Sequence, residues 1–547
     1  MGSKKKIPID PVTGIPMILE GRIVTMDPAN RVIDRGRLYV KDSTLLAVQA
    51  AEAPPPAGFA GVAVTKTGGT LYPGLIELHN HLAYNALRLW AVPKLYTNRD
   101  QWSGIPAYRQ LVSGPMTVIG ESPDLLPALV RYVEMKCLVG GVTTSQGIAL
   151  FSNAGARRFY RGIVRNVEST DEAVLPEAQT RVADVDARSA SAFLERLKKE
   201  TCFLLHLSEG VDPSAHKHFE ALRIEGTRWA ILPQLAGIHA VALTAQDFAL
   251  YGARGASIIW SPLSNCLLYG KTADVKAAKA AGVRIGIGSD WSPSGSKNLL
   301  GELKVARIVA DQVGGFSSRE ILAMATRQAA DILQWGEVLG SLEPGKRADL
   351  LLVKGTTGDP YDALIEAAET DIQLVVINGV PRFGTKSLFD ALGATGESLK
   401  IGGEARRVYL AQDTQDPAVG KLTYAQAKAT LADALKRLPQ LAKALEKPKT
   451  FRRGAMHAST GPVWRLALDE LEPTGNSVRA RLPLAHTHAR TGAKAQAGKG
   501  TQPLSEILKP LVLDPLTVAD DTEFAATLLA QKNLPAWIVA ALRALYG

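Results

Sequence analysis

The sequence predicts an α/β protein: a parallel (β/α)8, TIM-like barrel, a small β-sandwich domain formed from both of its flanks, and a mostly helical C-terminal extension. Three observations carry that prediction. Short apolar strands alternate with helical stretches from about residue 71 onward, and the later ones recur at roughly 25 to 35 residues, the length of a strand, a helix and their loops. Stretches of a different, β-rich texture stand on either side of this region. Polar residues able to hold a metal stand at the ends of apolar strands, where a parallel barrel gathers its active site.

Taken in order, "MILEGRIVTMD" and "GRLYVKDSTLLAV" are short β runs broken by Gly, Asp, Pro and Asn, which assigns residues 1–70 to the first part of the sandwich. The barrel, residues 71–334, reads as "LYPGLIEL", "GGVTTSQG", "GIVRNVE", "CFLLHL", "QLAGIH", "GASIIWSP" and "GVRIGIGSD" with helical segments between them. After "SSREILAMATRQAADILQW", the runs "ADLLLVKG" and "IQLVVINGVPRFG" return to the β texture and give the second sandwich part, residues 335–384. Residues 385–547 form the extension. In it, Tyr424, Ala427, Leu431, Ala434, Leu438, Leu441 and Leu445 alternate steps of three and four, the pattern of an amphipathic helix kinked or split at Pro439. "LPAWIVAALRALYG" predicts a closing helix, and no chemistry is read from the extension.

Composition narrows the class. A chain of 547 residues implies two or three domains, and 46% hydrophobic with 21% charged residues is ordinary for a globular protein. No apolar run approaches the roughly 20 residues that span a bilayer. "MGSKKKIPID" lacks the apolar core of a signal peptide, and Lys6 stands where a myristoylation motif needs Ser or Thr. Cys137, Cys202 and Cys266 lie far apart and form no metal-ligand pair, which points to a reducing cytoplasm. The net charge of +10 is read as solubility, not as a nucleic-acid or membrane surface; the expected partner is a small-molecule substrate, with a homo-oligomer left open.

The chemistry begins at "PGLIELHNHL". On a strand, residues i and i+2 face the same way, so His79 and His81 can aim two imidazoles at one point. His206 ends "CFLLHL", His239 follows "QLAGI" and Asp290 ends "GVRIGIGSD". Each alone is a weak signal; the order H-x-H, His, His, Asp, each at a strand end, is a strong one. By contrast, His216 and His218 lie two apart on a predicted helix, roughly 200° around it, and read as surface residues. His486 and His488 in "LAHTHAR" follow no strand and read as a solvated loop.

With these residues in place, the chain resembles the amidohydrolase superfamily, closest to the branch holding cytosine and guanine deaminases and triazine hydrolases. The resemblance spans about residues 15 to 384. "PGLIELHNH" is similar to the strand-1 signature with Glu77 where Asp is usual, "HLSEG" to a His-x-x-Glu element, "SPLSN" to the strand-7 segment and "GSDWSPSG" to the strand-8 Asp segment. The resemblance implies that His79, His81, His206 and Asp290 hold one divalent ion, zinc first and iron as the alternative, with a position open for water. Zinc lowers the pKa of such a water from 15.7 to about 7. It also implies that Glu209 shuttles protons, that His239 contacts the attacking oxygen or polarises the substrate, and that Asp290 accepts the water proton.

Some members bridge two metals with a carboxylated lysine on strand 4, but no lysine lies between Lys136 and Lys198. Glu168, ending "GIVRNVE" and read as that strand, is either a substitute bridge to a second metal or a hydrogen-bonding group beside the site. Tyr84, Asn85, Gln146, Asn265 and Trp291 are the candidate pocket residues. The bulky Trp291 departs from the small residues usual in the similar deaminases and puts a purine or pyrimidine substrate in doubt. The long insert "AVPKLYTNRDQWSGIPAYRQLVSGP" is expected to cover the mouth. The function expected is hydrolysis of a non-peptide carbon–nitrogen bond, by deamination or by cyclic or linear amide hydrolysis, through a metal-activated water. A related hydrolase with a halide or oxygen leaving group, and a non-catalytic scaffold on the same barrel, are the alternatives.

Overall fold

The computed structural model describes residues 16–153, 155–160, 162–170, 172–181, 189–412, 421–447, 463–468 and 502–546. Eight short parallel strands make a TIM-barrel-like α/β core: Leu75–Glu77, Val142–Ser145, Arg165–Asn166, Gln179–Arg181, Phe203–Leu207, Leu235–His239, Ser257–Trp260 and Arg284–Ile287. The first three form one sheet and the other five a second. Backbone hydrogen bonds join the two at both edges. Leu78 N–H donates to the Ile287 carbonyl at 3.3 Å, and Ala178 N–H to that of Val167 at 2.8 Å. Strands such as Phe203–Leu207 are buried along their whole length, the pattern of a parallel sheet covered on both faces. Helices follow strands five to eight, among them Pro213–Glu220, Ala245–Gly252, Pro262–Tyr269 and Leu299–Val313.

The structure corrects the strand count. "GIVRNVE" is the third parallel strand, not the fourth; the fourth is Gln179–Arg181, and the link between them carries no helix among its described residues. Three polar residues leave no apolar run to detect.

The flanks do not make two stacked sheets. They form one continuous nine-stranded sheet, because Val64–Pro73 pairs parallel with Met17–Val24 on one edge and antiparallel with Leu350–Lys354 on the other. That sheet curls until Leu45 N–H reaches the Lys346 carbonyl at 2.8 Å, over a core that includes Leu19, Ile23, Leu38, Leu71, Leu350 and Leu374. It also crosses the expected division at residue 384: Glu397–Ile401 and Glu404–Val408 add two more strands beyond Val380–Thr385. The expected helix of the extension is split into Tyr424–Lys436 and Leu438–Glu446, with Pro439 in the first turn of the second, where its missing N–H costs nothing. The pair His486 and His488 lies outside the described residues.

A buried ionic cluster fastens the extension to the barrel. Asp514 lies between Lys136 and Lys297, all three about 2% exposed or less. Lys297 Nζ donates to Asp514 Oδ1 at 2.8 Å and to Asp521 Oδ2 at 2.7 Å, and Lys136 donates to Asp514 Oδ2. Lys136 also holds the Asn85 carbonyl at 2.9 Å and Ser292 Oγ at 2.8 Å, in the loops that follow the first and eighth strands. Removing one member of a buried ionic cluster leaves the rest uncompensated, at a cost of about 3 to 5 kcal/mol. We therefore expect Asp514→Ala to lower unfolding stability by that order in urea melts, and Asp514→Asn, which keeps the hydrogen-bonding shape, to lose less. A wild-type-like melt for Asp514→Ala would show the cluster to be energetically idle.

Candidate active site

The C-terminal ends of strands one, five, six and eight bring His79, His81, His206, His239, Glu209 and Asp290 into one buried cluster. The His79 ring centroid lies 4.9 Å from that of His81, 4.7 Å from His206 and 5.1 Å from His239. Ligand atoms of His79, His81 and His206 lie within 4.8 Å of one another, and so do those of His79, His239 and Asp290. Neither His216 nor His218 joins a metal-capable group among the described residues; His216 Nε2 instead meets Asp247 Oδ2 at 2.9 Å.

The spacing fits an ion. Two ligands of a tetrahedral site with bonds near 2.1 Å stand roughly 3.4 Å apart. Asp290 Oδ1 lies 3.1 Å from His79 Nε2 and 3.4 Å from His81 Nε2. His79 Nε2 is buried and makes no hydrogen bond, while its Nδ1 faces Gln146 Oε1 at 3.0 Å. With the Nδ1 proton on Gln146, the Nε2 lone pair points into the cluster. Burial lowers the pKa of His79 and that of His206, so both imidazoles stay neutral, the form that binds a metal.

Around this cluster each partner is fixed by a second contact. His239 Nδ1 faces Asn265 Oδ1 at 2.9 Å, and Asn265 Nδ2 donates to Thr272 Oγ1 at 3.2 Å, which orients the amide. That leaves His239 Nε2 facing Glu209 Oε2 at 3.7 Å. Tyr269 O–H donates to Glu209 Oε1 at 2.7 Å, Trp102 Nε1–H donates to the Tyr269 hydroxyl at 2.9 Å, and Arg99 Nε lies 3.9 Å from Glu209 Oε2. The insert supplies Arg99 and Trp102 to these contacts, and the helix Pro262–Tyr269 supplies Tyr269. Neither Arg99 nor Tyr269 carries a sequence motif; proximity to Glu209 is their only signal.

Of the candidate pocket residues, Tyr84 and Gln146 line the cavity that opens beside His81 and His206, together with Glu168. Asn85, Asn265 and Trp291 do not line it. Asn85 braces loops, donating to Asn80 Oδ1 at 2.9 Å and accepting from Ser292 N–H at 2.8 Å. Trp291 packs edge-on to Tyr84, with ring centroids 5.2 Å apart, and its Nε1–H donates to Ser294 Oγ at 2.6 Å. Glu168 accepts from Gly147 N–H at 2.8 Å and Thr180 O–H at 2.7 Å and belongs to none of the metal-capable groups among the described residues. Burial pushes its pKa up to about 7.

Residues 229–382 match the amidohydrolase family. A 5-methylthioadenosine/S-adenosylhomocysteine deaminase of Desulforudis audaxviator is 25% identical over 368 residues, 58% of this chain and 82% of the relative. Atrazine chlorohydrolase from Arthrobacter aurescens TC1, solved with zinc, superposes with a TM-score of 0.51 at 19% identity, covering 67% of this chain and 94% of that one. E. coli guanine deaminase superposes with a TM-score of 0.51 at 16% identity, covering 67% and 99%. These comparisons support the amidohydrolase superfamily and its deaminase branch, and are consistent with a metal-dependent hydrolase.

Gln146 Oε1 also accepts Asn80 N–H at 2.9 Å, so one carbonyl orients His79 and the chain that leads to His81. Loss of such a partner typically weakens metal binding about 10- to 100-fold. Gln146→Leu should do so in competition with a chelator, and unaltered affinity would exclude this orienting role.

Proposed function

We propose that the protein deaminates a small, amine-bearing substrate, with an aminopurine nucleoside as the first class to try because the curated relatives are named for such compounds. The observation that carries the reading is the position of Glu209, bonded to Tyr269 on one oxygen and facing His239 on the other, beside a metal-capable cluster. His79, His81, His206 and Asp290 would hold one divalent ion, zinc being the first choice. Such an ion, when bound, supplies the Lewis acidity that makes a water acidic near neutral pH.

The chain's own groups do the rest. His239, held by Asn265, keeps its Nε2 toward the reacting centre, where it polarises the substrate. Asp290 takes the proton of the attacking water, and Glu209 delivers a proton to the leaving nitrogen. Tyr269 and Arg99 steady the Glu209 carboxylate for that transfer, and the insert carrying Trp102 keeps bulk water out. Glu168, with its ties to Gly147 and Thr180, serves as a hydrogen-bonding group of the cavity and not as a bridge to a second ion.

The eight strands are read as a closed barrel, supported by the edge bonds at Leu78 and Ala178. The domain divisions at residues 70 and 334 are retained, and the one expected at 384 moves to Val408, where the sheet ends. Three free buried cysteines support a reducing, cytoplasmic setting, and among the described residues no helix is long and apolar enough to cross a membrane.

Glu209→Gln keeps size and hydrogen bonding but removes the exchangeable proton. General acid–base contributions run to about 100- to 10,000-fold, so ammonia release from a turned-over aminopurine should fall by that order with metal content unchanged. Near-wild-type turnover would reduce Glu209 to a loop carboxylate and move the reading from deamination to another hydrolysis.

A further inference from the structure

The extension does more than brace the barrel. From Gln146, at the end of the second strand, the chain runs into an antiparallel hairpin, Ile148–Ser152 with Arg157–Tyr160, that rises beside the catalytic cavity. Its leading strand would be an open edge, and a lone two-stranded hairpin is only marginally stable. A short strand from the extension, Trp464–Leu466, closes that edge with Trp464 opposite Ser152, Arg465 opposite Phe151 and Leu466 opposite Leu150.

Contacts at both ends fix the added strand. Ala467 N–H donates to the Ala149 carbonyl at 2.8 Å, and Asn153 N–H to that of Val463 at 3.1 Å. Arg465 Nε pairs with Glu121 Oε2 at 2.9 Å, and the Arg158 guanidinium sits 4.5 Å over the Trp464 ring. A Cβ on Gly120 would lie 2.9 Å from the Leu466 Cβ, so the helix beneath leaves room for Leu466 only because residue 120 is glycine.

Leu466, at the end of this strand, and Ala467 and Leu468 just beyond it line the cavity that His81 and His206 also line. Leu82, Ile148 and Ala149 continue that apolar surface. Across the cavity, Glu168 is tied to Thr180 and Gly147. The aliphatic side chains give a substrate an apolar wall on the opposite, extension-built side.

We propose that Leu466, Ala467 and Leu468 of the C-terminal extension form a specificity wall of the catalytic pocket, selecting substrates that carry an uncharged aliphatic arm beside the scissile carbon–nitrogen bond. The proposal rests on the metal-dependent hydrolase reading of the cluster. It gives the extension a functional role: the strand orders the mouth of the site and touches the substrate's arm.

The test uses zinc-loaded, full-length protein and two metal-directed probes, acetohydroxamate and hexanohydroxamate, titrated calorimetrically. Each buried methylene adds about fourfold to affinity, so the longer probe should bind wild type at least about 10-fold more tightly. In the Leu466→Ala/Leu468→Ala variant that preference should shrink to about threefold or less, with acetohydroxamate affinity and zinc content unchanged. Leu468→Met, which conserves volume, should keep the preference, and single Leu468→Ala serves if the double variant does not fold. A preference that survives the alanine variants, or an equal loss for both probes, overturns the wall. Failure of both probes to bind zinc-loaded wild type overturns the reading beneath it, and the wall with it.

Discussion

The histidine–aspartate cluster depends on the seam between the first and eighth parallel strands. Asp290 has to come within 3.1 Å of one imidazole and 3.4 Å of another, although more than two hundred residues separate it from both. The seam does this with backbone. Asp290 N–H donates to the His79 carbonyl at 3.1 Å and His81 N–H to that of Asp290 at 2.6 Å. Residue 288 has to be glycine for this approach, since a Cβ there would lie 2.4 Å from the His79 carbonyl oxygen. Glu77, buried at the end of the first strand, accepts from Ser289 N–H at 3.0 Å and from its hydroxyl, which ties the C-terminal ends of the two strands together. Asp290 and His239 both adopt positive φ, 65° and 70°, a conformation costing a non-glycine residue about 1 to 3 kcal/mol. It persists because the surrounding bonds over-determine it.

That rigidity separates two kinds of group in the site. Burial keeps His79 and His206 neutral, and acceptors on the far nitrogens aim His79, through Gln146, and His239, through Asn265. Glu209 sits where the cluster meets the insert, with Tyr269 and Arg99 on it, so the carboxylate proposed to protonate the leaving group is also the one the insert can reach. In the proposed mechanism, the packing of the insert also aligns the proton carrier.

Much of this was legible in the sequence, for a physical reason. Strand-end histidines in a parallel barrel converge whatever their separation along the chain, so His79, His81, His206, His239 and Asp290 could be gathered from strand position alone. Glu168 was assigned to the wrong strand because the intervening one, Gln179–Arg181, is short and polar. Residues 397–408 were missed as strands because charged side chains interrupt their apolar alternation. The ties of Lys136 to Asp514 and of Leu466 to Leu150 lay beyond reading, since nothing local marks one buried ion pair or one edge strand hundreds of residues from its partner.

Two of the extension's contacts with the barrel come close to the site: the ionic cluster beneath the loops of strands one and eight, and the added strand at the cavity. The proposed chemistry depends on metal binding by this cluster. Elemental analysis of protein produced with zinc present tests that most directly. The account predicts about one divalent ion per wild-type chain and its loss in His206→Ala with the fold retained. A wild-type protein that is folded and metal-free would contradict it.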